Sequence, residues 1–210
     1  MIPTKICGIT NLSDAQAAMA RGASAIGFIF YEKSPRHISI DDAKFISEHL
    51  KKDISRVGVF VNHKKEYINQ AIQEVPLNVI QFHGDESPEI CKQFDVPIIK
   101  AIRIKDEDSL SVMDEYIVNG FLLDTFLKDH YGGTGKAFDW SLLNGQMETP
   151  IILSGGLNPN NISDAITFIK PSAVDVNSGV ESSPGIKDHK KIKLLFERLK
   201  DTDTTGFHFG

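Results

Sequence analysis

The stretch Thr4-Lys5-Ile6-Cys7-Gly8-Ile9-Thr10 predicts a buried β-strand close to the start of the chain. Successive side chains of a strand point to opposite faces, so Lys5 and Cys7 share one face and Ile6 lies on the other. Gly8 lets the chain leave the strand in a tight turn that a side chain would resist. A thiol and an ammonium group on one face of a buried strand are unusual, although most free cysteines are small buried apolar residues. From this stretch alone, that structural role is the better interpretation of Cys7.

Seven more apolar runs of strand length follow, with helix-like segments between them. Such near-continuous runs are typical of parallel strands that are covered on both faces. The starts of the strands are 20 to 31 residues apart, the length of a strand, a helix and two short loops. Eight units of this kind predict an α/β fold, a single compact (β/α)8 TIM barrel over residues 1–200. Residues 201–210 are polar and lack periodicity, so we expect a loose C-terminal tail. The predicted strands are 4–9, 25–30, 56–61, 78–83, 98–103, 120–125, 151–154 and 173–177.

The bulk composition is that of an ordinary globular protein, with 41% hydrophobic and 24% charged residues. A formal net charge of −5 argues against general binding to nucleic acid or to an anionic membrane, and no apolar run reaches membrane-spanning length. Two cysteines, Cys7 and Cys91, are too few for a disulfide framework. The first residues also lack the basic and apolar segments of a signal peptide. We therefore expect a cytoplasmic protein with reduced thiols.

The candidate reactive side chains stand where the predicted strands end. In barrels of this class, the loops after the strands build the active site at one face. Two of those loops, 31–38 and 126–138, carry extra residues. The residues at the strand ends are Cys7, Ser34-Pro35-Arg36, Asn62, His83, Arg103, Asp124, Gly155-Gly156 and the segment from Asp175 through Ser178 to Gly179.

Two short glycine-containing segments predict a phosphate site. Gly155-Gly156 lies between the seventh strand and a helix with a cap at Asn158, and Ser178-Gly179 follows the eighth strand. Loops seven and eight recurrently bind phosphate in this fold, through backbone N–H groups and a helix N-terminus. Alternatively, these glycines only form tight turns.

The glycine-rich segment Gly132-Gly133-Thr134-Gly135 predicts a mobile flap over the barrel mouth. It is not a Walker phosphate loop, because the strand-to-helix spacing of that motif is absent. None of the histidines shows the spacing of metal ligands, so no metal site is predicted.

Seven stretches together resemble the motifs of one known enzyme family. They occur in order along nearly the whole chain, so the resemblance is more specific than any single motif. The departures are slight: Phe82 precedes His83 where a leucine is expected, and Asn177 stands where a serine is commoner. The stretches are KICGIT (5–10), GFIF (27–30) with SPR (34–36), VGVFVN (57–62), LDT (123–125), GGTGKAFDW (132–140), SGGL (154–157) and VDVNSGVE (174–181) with PGIKD (184–188). With them the chain resembles the phosphoribosylanthranilate isomerase family of the tryptophan pathway.

The resemblance implies an Amadori rearrangement of N-(5-phosphoribosyl)anthranilate by acid–base catalysis, without a metal or an organic cofactor. In similar enzymes, the cysteine of KICG is the base and the aspartate of the sixth strand is the acid, which here are Cys7 and Asp124. The arginine of SPR, Arg36, holds the anthranilate carboxylate, and Asp175 contacts the anthranilate amino group. His83 and Arg103 are expected to line the pocket. The partner is a small phosphoribosyl substrate, and the chain is expected to be a monomer or a homodimer.

The residues themselves support the two catalytic roles. A thiol is a base only as the thiolate, so its pKa of ~8.5 has to be lowered by nearby positive charge or N–H groups, for which Lys5 is a candidate. Asp124 ends an apolar strand, where burial would raise its pKa and hold a proton to donate. The simpler alternative for Asp124 is an ordinary polar residue that opens a loop.

Two other functions on the same fold stay open. A different phosphosugar isomerase or epimerase would need metal ligands at several strand ends. A non-catalytic phospho-ligand binding protein would keep the phosphate site and lose the acid–base pair. The presence of both Cys7 and Asp124 favours the isomerase.

Overall fold

Eight parallel strands close into a barrel in the computed structural model, and each strand pairs with its neighbours in chain order. The ring closes between the first and the eighth strand, where Lys5 pairs with Asp175. The structure describes residues 1–51, 53–105, 108–125, 149–203 and 205–210, apart from the side chain of Thr125. The predicted (β/α)8 barrel is confirmed.

The strands of the barrel begin and end within two residues of their predicted bounds. They are β1 (Thr4–Cys7), β2 (Ala25–Ile29), β3 (Ser55–Phe60), β4 (Val79–Phe82), β5 (Ile98–Ile104), β6 (Gly120–Thr125), β7 (Ile151–Leu153) and β8 (Ala173–Val176). The helices that the structure describes are α1 (Leu12–Arg21), α2 (Ile40–Glu48), α3 (Lys65–Glu74), α4 (Pro88–Cys91), α5 (Asp108–Ser111), α6 (Ile162–Ile169) and α7 (His189–Leu199). Single 3-10 turns cover Val112–Glu115 and Ser178–Val180.

Capping residues mark the ends of several helices. The side chain of Ser39 accepts a hydrogen bond from the backbone N–H of Asp42 at the start of α2, as its place in the sequence predicts. Gly22 ends α1 with a left-handed φ of 100°. Asn158, in contrast, does not cap α6, which begins four residues later. Its amide donates a hydrogen bond to the carbonyl of Gly156 and so holds a turn ahead of the helix.

The barrel interior changes from apolar to polar along the strands. Near the amino ends, an apolar cluster forms the floor of the barrel, and it includes Ala25, Val57, Val79, Ile99, Leu122, Ile152 and Ala173. Two residues further along three of those strands stand Gln81, Asp124 and Asp175, which are all buried. Because parallel strands end at the same edge, the polar residues face one mouth, at the carboxyl ends of the strands.

The C-terminal residues close the floor of the barrel, which differs from the loose tail that the sequence suggests. Phe209 is only 2% exposed and belongs to the apolar cluster of the floor. Phe207 packs edge-on against it, with 5.0 Å between the ring centroids. The segment is polar overall, but its two aromatic rings bury apolar surface against the strand starts.

A small antiparallel hairpin after β8 is absent from the sequence prediction. It consists of β9 (Glu181–Ser183) and β10 (Ile186–Lys187). The Thr10 hydroxyl donates a hydrogen bond to the carbonyl of Gly185 in the turn, so the hairpin is tied to the loop after β1. The hairpin brings two charged side chains, Glu181 and Lys187, into the buried part of the molecule.

The predicted flap, Gly132 to Gly135, lies outside the described residues. In the part of the chain that is described, no helix has the length and apolar character needed to cross a bilayer.

Candidate active site

A cavity of about 500 Å³ opens at the carboxyl ends of the strands. Its lining includes all six side chains that the sequence analysis assigned to catalysis or to substrate binding: Cys7, Arg36, His83, Arg103, Asp124 and Asp175. Their positions along the sequence span most of the chain, and the barrel brings them to one mouth.

The Cys7 thiol is confined by the neighbouring strand. Cys7 pairs with Gly27 of β2, and a Cβ at Gly27 would lie 2.7 Å from the thiol sulfur. Burial raises the pKa of Cys7 to about 11, while the charges of Lys5 and Lys187 and the N–H of Gly8 act in the opposite direction. The expected lowering of this pKa is therefore not found in the free protein, because burial outweighs the nearby positive charge.

Asp175 stands beside Lys5 inside the barrel. The Nζ atom of Lys5 lies 3.3 Å from Oδ2 of Asp175, and both side chains are buried. Burial raises the pKa of Asp175, and the charge of Lys5 opposes that rise. The other oxygen, Oδ1, is buried without a hydrogen-bond partner among the described residues. An unpaired buried acceptor at the edge of a cavity suits a ligand that brings an N–H or O–H group.

His83 lies next to Asp124. Nε2 of His83 is 3.3 Å from Oδ2 of Asp124, and both side chains are nearly buried. The contact joins β6 to the residue that follows β4, across the mouth of the cavity.

Arg36 forms a two-pronged ion pair with Glu181. Its Nε donates to Oε1 at 2.9 Å, and its Nη2 donates to Oε2 at 2.7 Å. Lys187 donates to the same carboxylate at 2.8 Å and to Oδ1 of Asn177 at 2.9 Å. Burial opposes ionisation of Glu181, but the hydrogen bonds from Arg36 and the charge of Lys187 lower its pKa overall. Arg36 is thus held rigidly at the cavity wall, and its Nη1 group takes no part in these bonds.

The loops that carry the two segments of the predicted phosphate site are in contact. Gly155 and Gly156 both have left-handed φ values, 84° and 67°, which orient their N–H groups in a way that other residues resist. A Cβ at Gly179 would lie 1.9 Å from the carbonyl oxygen of Leu157, so loops seven and eight touch at a position where only glycine fits. Ser178 begins the 3-10 turn beside them.

Arg103 forms an ion pair with Asp85 at the rim of the mouth, and its side chain is 23% exposed.

Within the described ranges, no group of three or more His, Cys, Asp or Glu residues is arranged to hold a metal ion.

Residues 4–198 of the chain match the model of the family described as N-(5'phosphoribosyl)anthranilate (PRA) isomerase. The chain belongs to the phosphoribosylanthranilate isomerase family. It is therefore an isomerase of tryptophan biosynthesis, as its resemblance to this family implied.

Curated relatives match the sequence of this chain over nearly their whole length. The N-(5'-phosphoribosyl)anthranilate isomerase of Pseudomonas fluorescens strain Pf0-1 is 45% identical, over 95% of this chain and 98% of the relative. The enzyme of the same name from Trichlorobacter lovleyi is 42% identical, over 96% and 99% of the two chains.

Solved structures show the same architecture. Phosphoribosyl anthranilate isomerase from Thermotoga maritima superposes with a TM-score of 0.88 at 42% identity, covering 96% of this chain and all of the other. A family structure in complex with reduced 1-(o-carboxyphenylamino)-1-deoxyribulose 5-phosphate superposes with a TM-score of 0.83 at 41% identity.

Among the buried polar residues of this isomerase that sequence reasoning missed, Gln81, Glu181 and Lys187 contact residues of the site. Glu181 closes the VDVNSGVE stretch and Lys187 lies in the PGIKD stretch, whereas Gln81 directly precedes the departure at Phe82. Their contacts depend on partners far along the chain, 76 residues away for Gln81 and 145 for Glu181. A single sequence contains no signal for such pairings.

Proposed function

We propose that the barrel mouth converts N-(5'-phosphoribosyl)anthranilate into 1-(2-carboxyphenylamino)-1-deoxyribulose 5-phosphate, with Asp124 as the general acid and Cys7 as the general base. The observation that carries this assignment is the position of both groups on one cavity of about 500 Å³, reached from β6 and β1. A cavity of this size suits a ligand with one aromatic ring and one phosphorylated sugar.

The reaction begins with two proton transfers, at the two atoms of the sugar ring that are bonded to C1. Asp124 donates its proton to the ring oxygen of the sugar, the bond from C1 to that oxygen breaks, and the C1–N bond becomes an iminium. The Cys7 thiolate then takes the proton from C2, and the electron pair of that C–H bond neutralises the iminium and leaves an enolamine. The enolamine takes up a proton at C1 while its C2 hydroxyl loses a proton, and this tautomerisation gives the ketone of the product.

The raised pKa of Cys7 constrains when the thiolate forms. In the free protein burial favours the neutral thiol. Ring opening places a positive iminium beside the sulfur, and an adjacent cation favours the thiolate. Lys5 and Lys187 already act in that direction. The proposal therefore makes Cys7 basic mainly in the complex rather than in the free protein.

The other residues position the substrate. Arg36 is proposed to take the anthranilate carboxylate, since a guanidinium held by Glu181 keeps donors for a second anion. Oδ1 of Asp175 is proposed to accept the N–H of the anthranilate nitrogen. Gly155, Gly156, Ser178 and Gly179 are proposed to bind the phosphate, and His83 and Arg103 to line the pocket.

The remaining expectations concern partners and location. The partner is proposed to be this small phosphoribosyl substrate, with no nucleic acid or membrane involved and no cofactor required. Both a monomer and a homodimer stay open, and the solved family structures include monomers of the dimeric Thermotoga maritima enzyme. A cytoplasmic location fits the two free cysteines, Cys7 and Cys91.

The proposal is tested with an activity assay. Substrate is generated in situ, and its turnover is followed as the loss of anthranilate-type fluorescence. We expect Cys7→Ala and Asp124→Asn each to lower turnover by at least ~100-fold, the usual contribution of a general acid or base. Cys91→Ser serves as the control for loss of a buried thiol. Near-normal turnover in either of the first two variants would reject the assigned mechanism. Activity that is lost with EDTA and restored by a divalent ion would favour the metal-dependent alternative.

A further inference from the structure

A line of buried polar contacts crosses the barrel interior from Asp175 to Asp124. Asp175 contacts Lys5, and Nζ of Lys5 donates to Oε1 of Gln81. Nε2 of Gln81 lies 2.9 Å from Nδ1 of His83, and Nε2 of His83 lies 3.3 Å from Oδ2 of Asp124. Gln81 is only 1% exposed, yet the proposed mechanism assigns no task to it.

From these contacts we infer that Gln81 is a positioning residue, which Lys5 orients so that His83 carries its proton on Nε2, facing Asp124. Only the expected effect of Gln81 on kcat depends on the proposed role of Asp124 as the general acid. The proton position itself follows from the contacts of Lys5, Gln81 and His83.

The orientation of the Gln81 amide is fixed by its partner. An ammonium group has three donors and no acceptor, so the group of Gln81 that faces Lys5 has to be the carbonyl oxygen. A rotated amide would place its NH₂ group against the ammonium and leave both donors unpaired in a buried site, which is costly. The NH₂ group of Gln81 therefore faces His83.

The tautomer of His83 follows from that orientation. The NH₂ group of Gln81 can only donate, so Nδ1 of His83 has to accept and carries no proton. In a neutral imidazole the proton then resides on Nε2. This atom is buried and has no aligned hydrogen-bond partner among the described residues, although the Asp124 carboxyl lies 3.3 Å away. Catalytic contacts that are poorly aligned in the free protein often align in the complex with substrate.

The Nε2–H group would serve Asp124 when the acid has given up its proton. A hydrogen-bond donor at Oδ2 stabilises the carboxylate that forms as the sugar ring opens. It also restricts the acidic proton of Asp124 to the other carboxyl oxygen, Oδ1, from which that proton is donated to the substrate. The opposite tautomer would turn a lone pair of His83 toward the same carboxylate and disfavour its ionisation. Gln81 thereby affects the acid without contacting the substrate.

A purely structural role for Gln81, as a buried partner of Lys5, makes different predictions. It requires that variants lose stability, but it places no constraint on the proton of His83. The position of that proton is therefore the readout that separates the two roles.

The experiment uses the full chain labelled with ¹⁵N-histidine, and long-range ¹H–¹⁵N correlation spectra show which ring nitrogen is protonated. His83→Asn identifies the His83 signals among the seven histidines. We expect an unprotonated Nδ1 in the wild type and a protonated Nδ1 in Gln81→Glu, because a carboxylate at that position accepts from both Lys5 and His83. Gln73→Glu makes the same chemical change at an exposed position of α3 and should leave the His83 signals unchanged.

A second variant, Gln81→Met, keeps the shape of the side chain and removes both hydrogen bonds. We expect kcat to fall by ~10- to 100-fold, the value of a lost hydrogen bond to a charged group, with KM changed far less. Thermal unfolding confirms that each variant is folded at the temperature of measurement.

Three results would overturn the inference: a wild-type His83 with its proton on Nδ1, a Gln81→Glu variant whose Nδ1 stays unprotonated, or a Gln81→Met variant that keeps full kcat while losing only stability. If Asp124→Asn proved fully active, the proposed mechanism would fail, but the NMR result would still decide the tautomer.

Discussion

At the scale of single residues, the two thiols of this chain have nearly the same acidity but different surroundings. Burial raises the pKa of Cys7 and of Cys91 to about 11 in each case. Cys7 lines the cavity, whereas Cys91 is 1% exposed and belongs to the core between strands and helices.

We therefore predict that alkylation of Cys7 by iodoacetamide follows a titration near pH 11 in the free protein. The reactive form is the thiolate, and a raised pKa means that this form appears only as the pH rises toward that value. Mass spectrometry of labelled peptides gives the rate for each cysteine, and substrate should protect Cys7. Cys91 should react more slowly at every pH because reagent cannot reach it. A titration of Cys7 at or below the ordinary thiol pKa would contradict the dominance of burial.

The two-pronged ion pair between Arg36 and Glu181 leads to a prediction for substitution of Arg36. Arg36→Lys keeps the positive charge but loses the rigid two-pronged geometry, so substrate binding should weaken. We expect KM to rise by about 10-fold with kcat within about 3-fold, since the anthranilate carboxylate is remote from the reacting carbons. Arg21→Lys, at an exposed position in the last turn of α1, is the matched control. A selective loss of kcat in steady-state kinetics would reject this role.

At the scale of elements, the contact between loops seven and eight should be sensitive to one added methyl group. Gly179→Ala would place a Cβ 1.9 Å from the carbonyl of Leu157, so the two loops have to move apart. If these loops bind the phosphate group, KM for substrate and the inhibition constant of inorganic phosphate should both rise by about 10-fold or more.

Gly120→Ala supplies the control for the loop prediction, because its Cβ would meet the nearest atom, the carbonyl oxygen of Pro150, at 3.4 Å, an ordinary contact. Unchanged phosphate inhibition in Gly179→Ala would show that the phosphate binds elsewhere.

Much of this arrangement of elements could be predicted from the sequence, and the limits have physical causes. Buried parallel strands leave continuous apolar runs, and residues at their ends meet at one mouth, so Cys7 and Asp124 could be assigned to the same site. The pKa of Cys7 could not be predicted, since burial depends on atoms from distant strands. The pairing of Arg36 with Glu181 joins residues 145 positions apart, and it depends on a hairpin too short to leave a periodic pattern.

At the scale of the whole molecule, the floor of the barrel depends on Phe209. We expect Phe209→Ala to lower the free energy of unfolding by about 3–5 kcal/mol, the usual cost of removing a buried phenylalanine side chain. Chemical denaturation measures the change. Turnover should be retained at a temperature where the variant is folded, because the floor lies at the end of the barrel opposite to the cavity.

Phe168→Ala, where the ring is 61% exposed, removes the same atoms without opening a core and should cost far less. Equal stability of the two variants would show that Phe209 does not hold the floor in solution.

The closure of the ring between β1 and β8 has a consequence for the order of events in folding. The pairing of Lys5 with Asp175 joins residues near the two ends of the chain, so it depends on one of the longest loop closures in the molecule. The same pair begins the line of contacts that reaches His83 and Asp124. A partly folded chain that has assembled the middle strands therefore lacks an oriented acid, even where Asp124 and its neighbours are already in place. In refolding experiments, enzymatic activity should return only with the last kinetic phase, later than the recovery of helical circular dichroism.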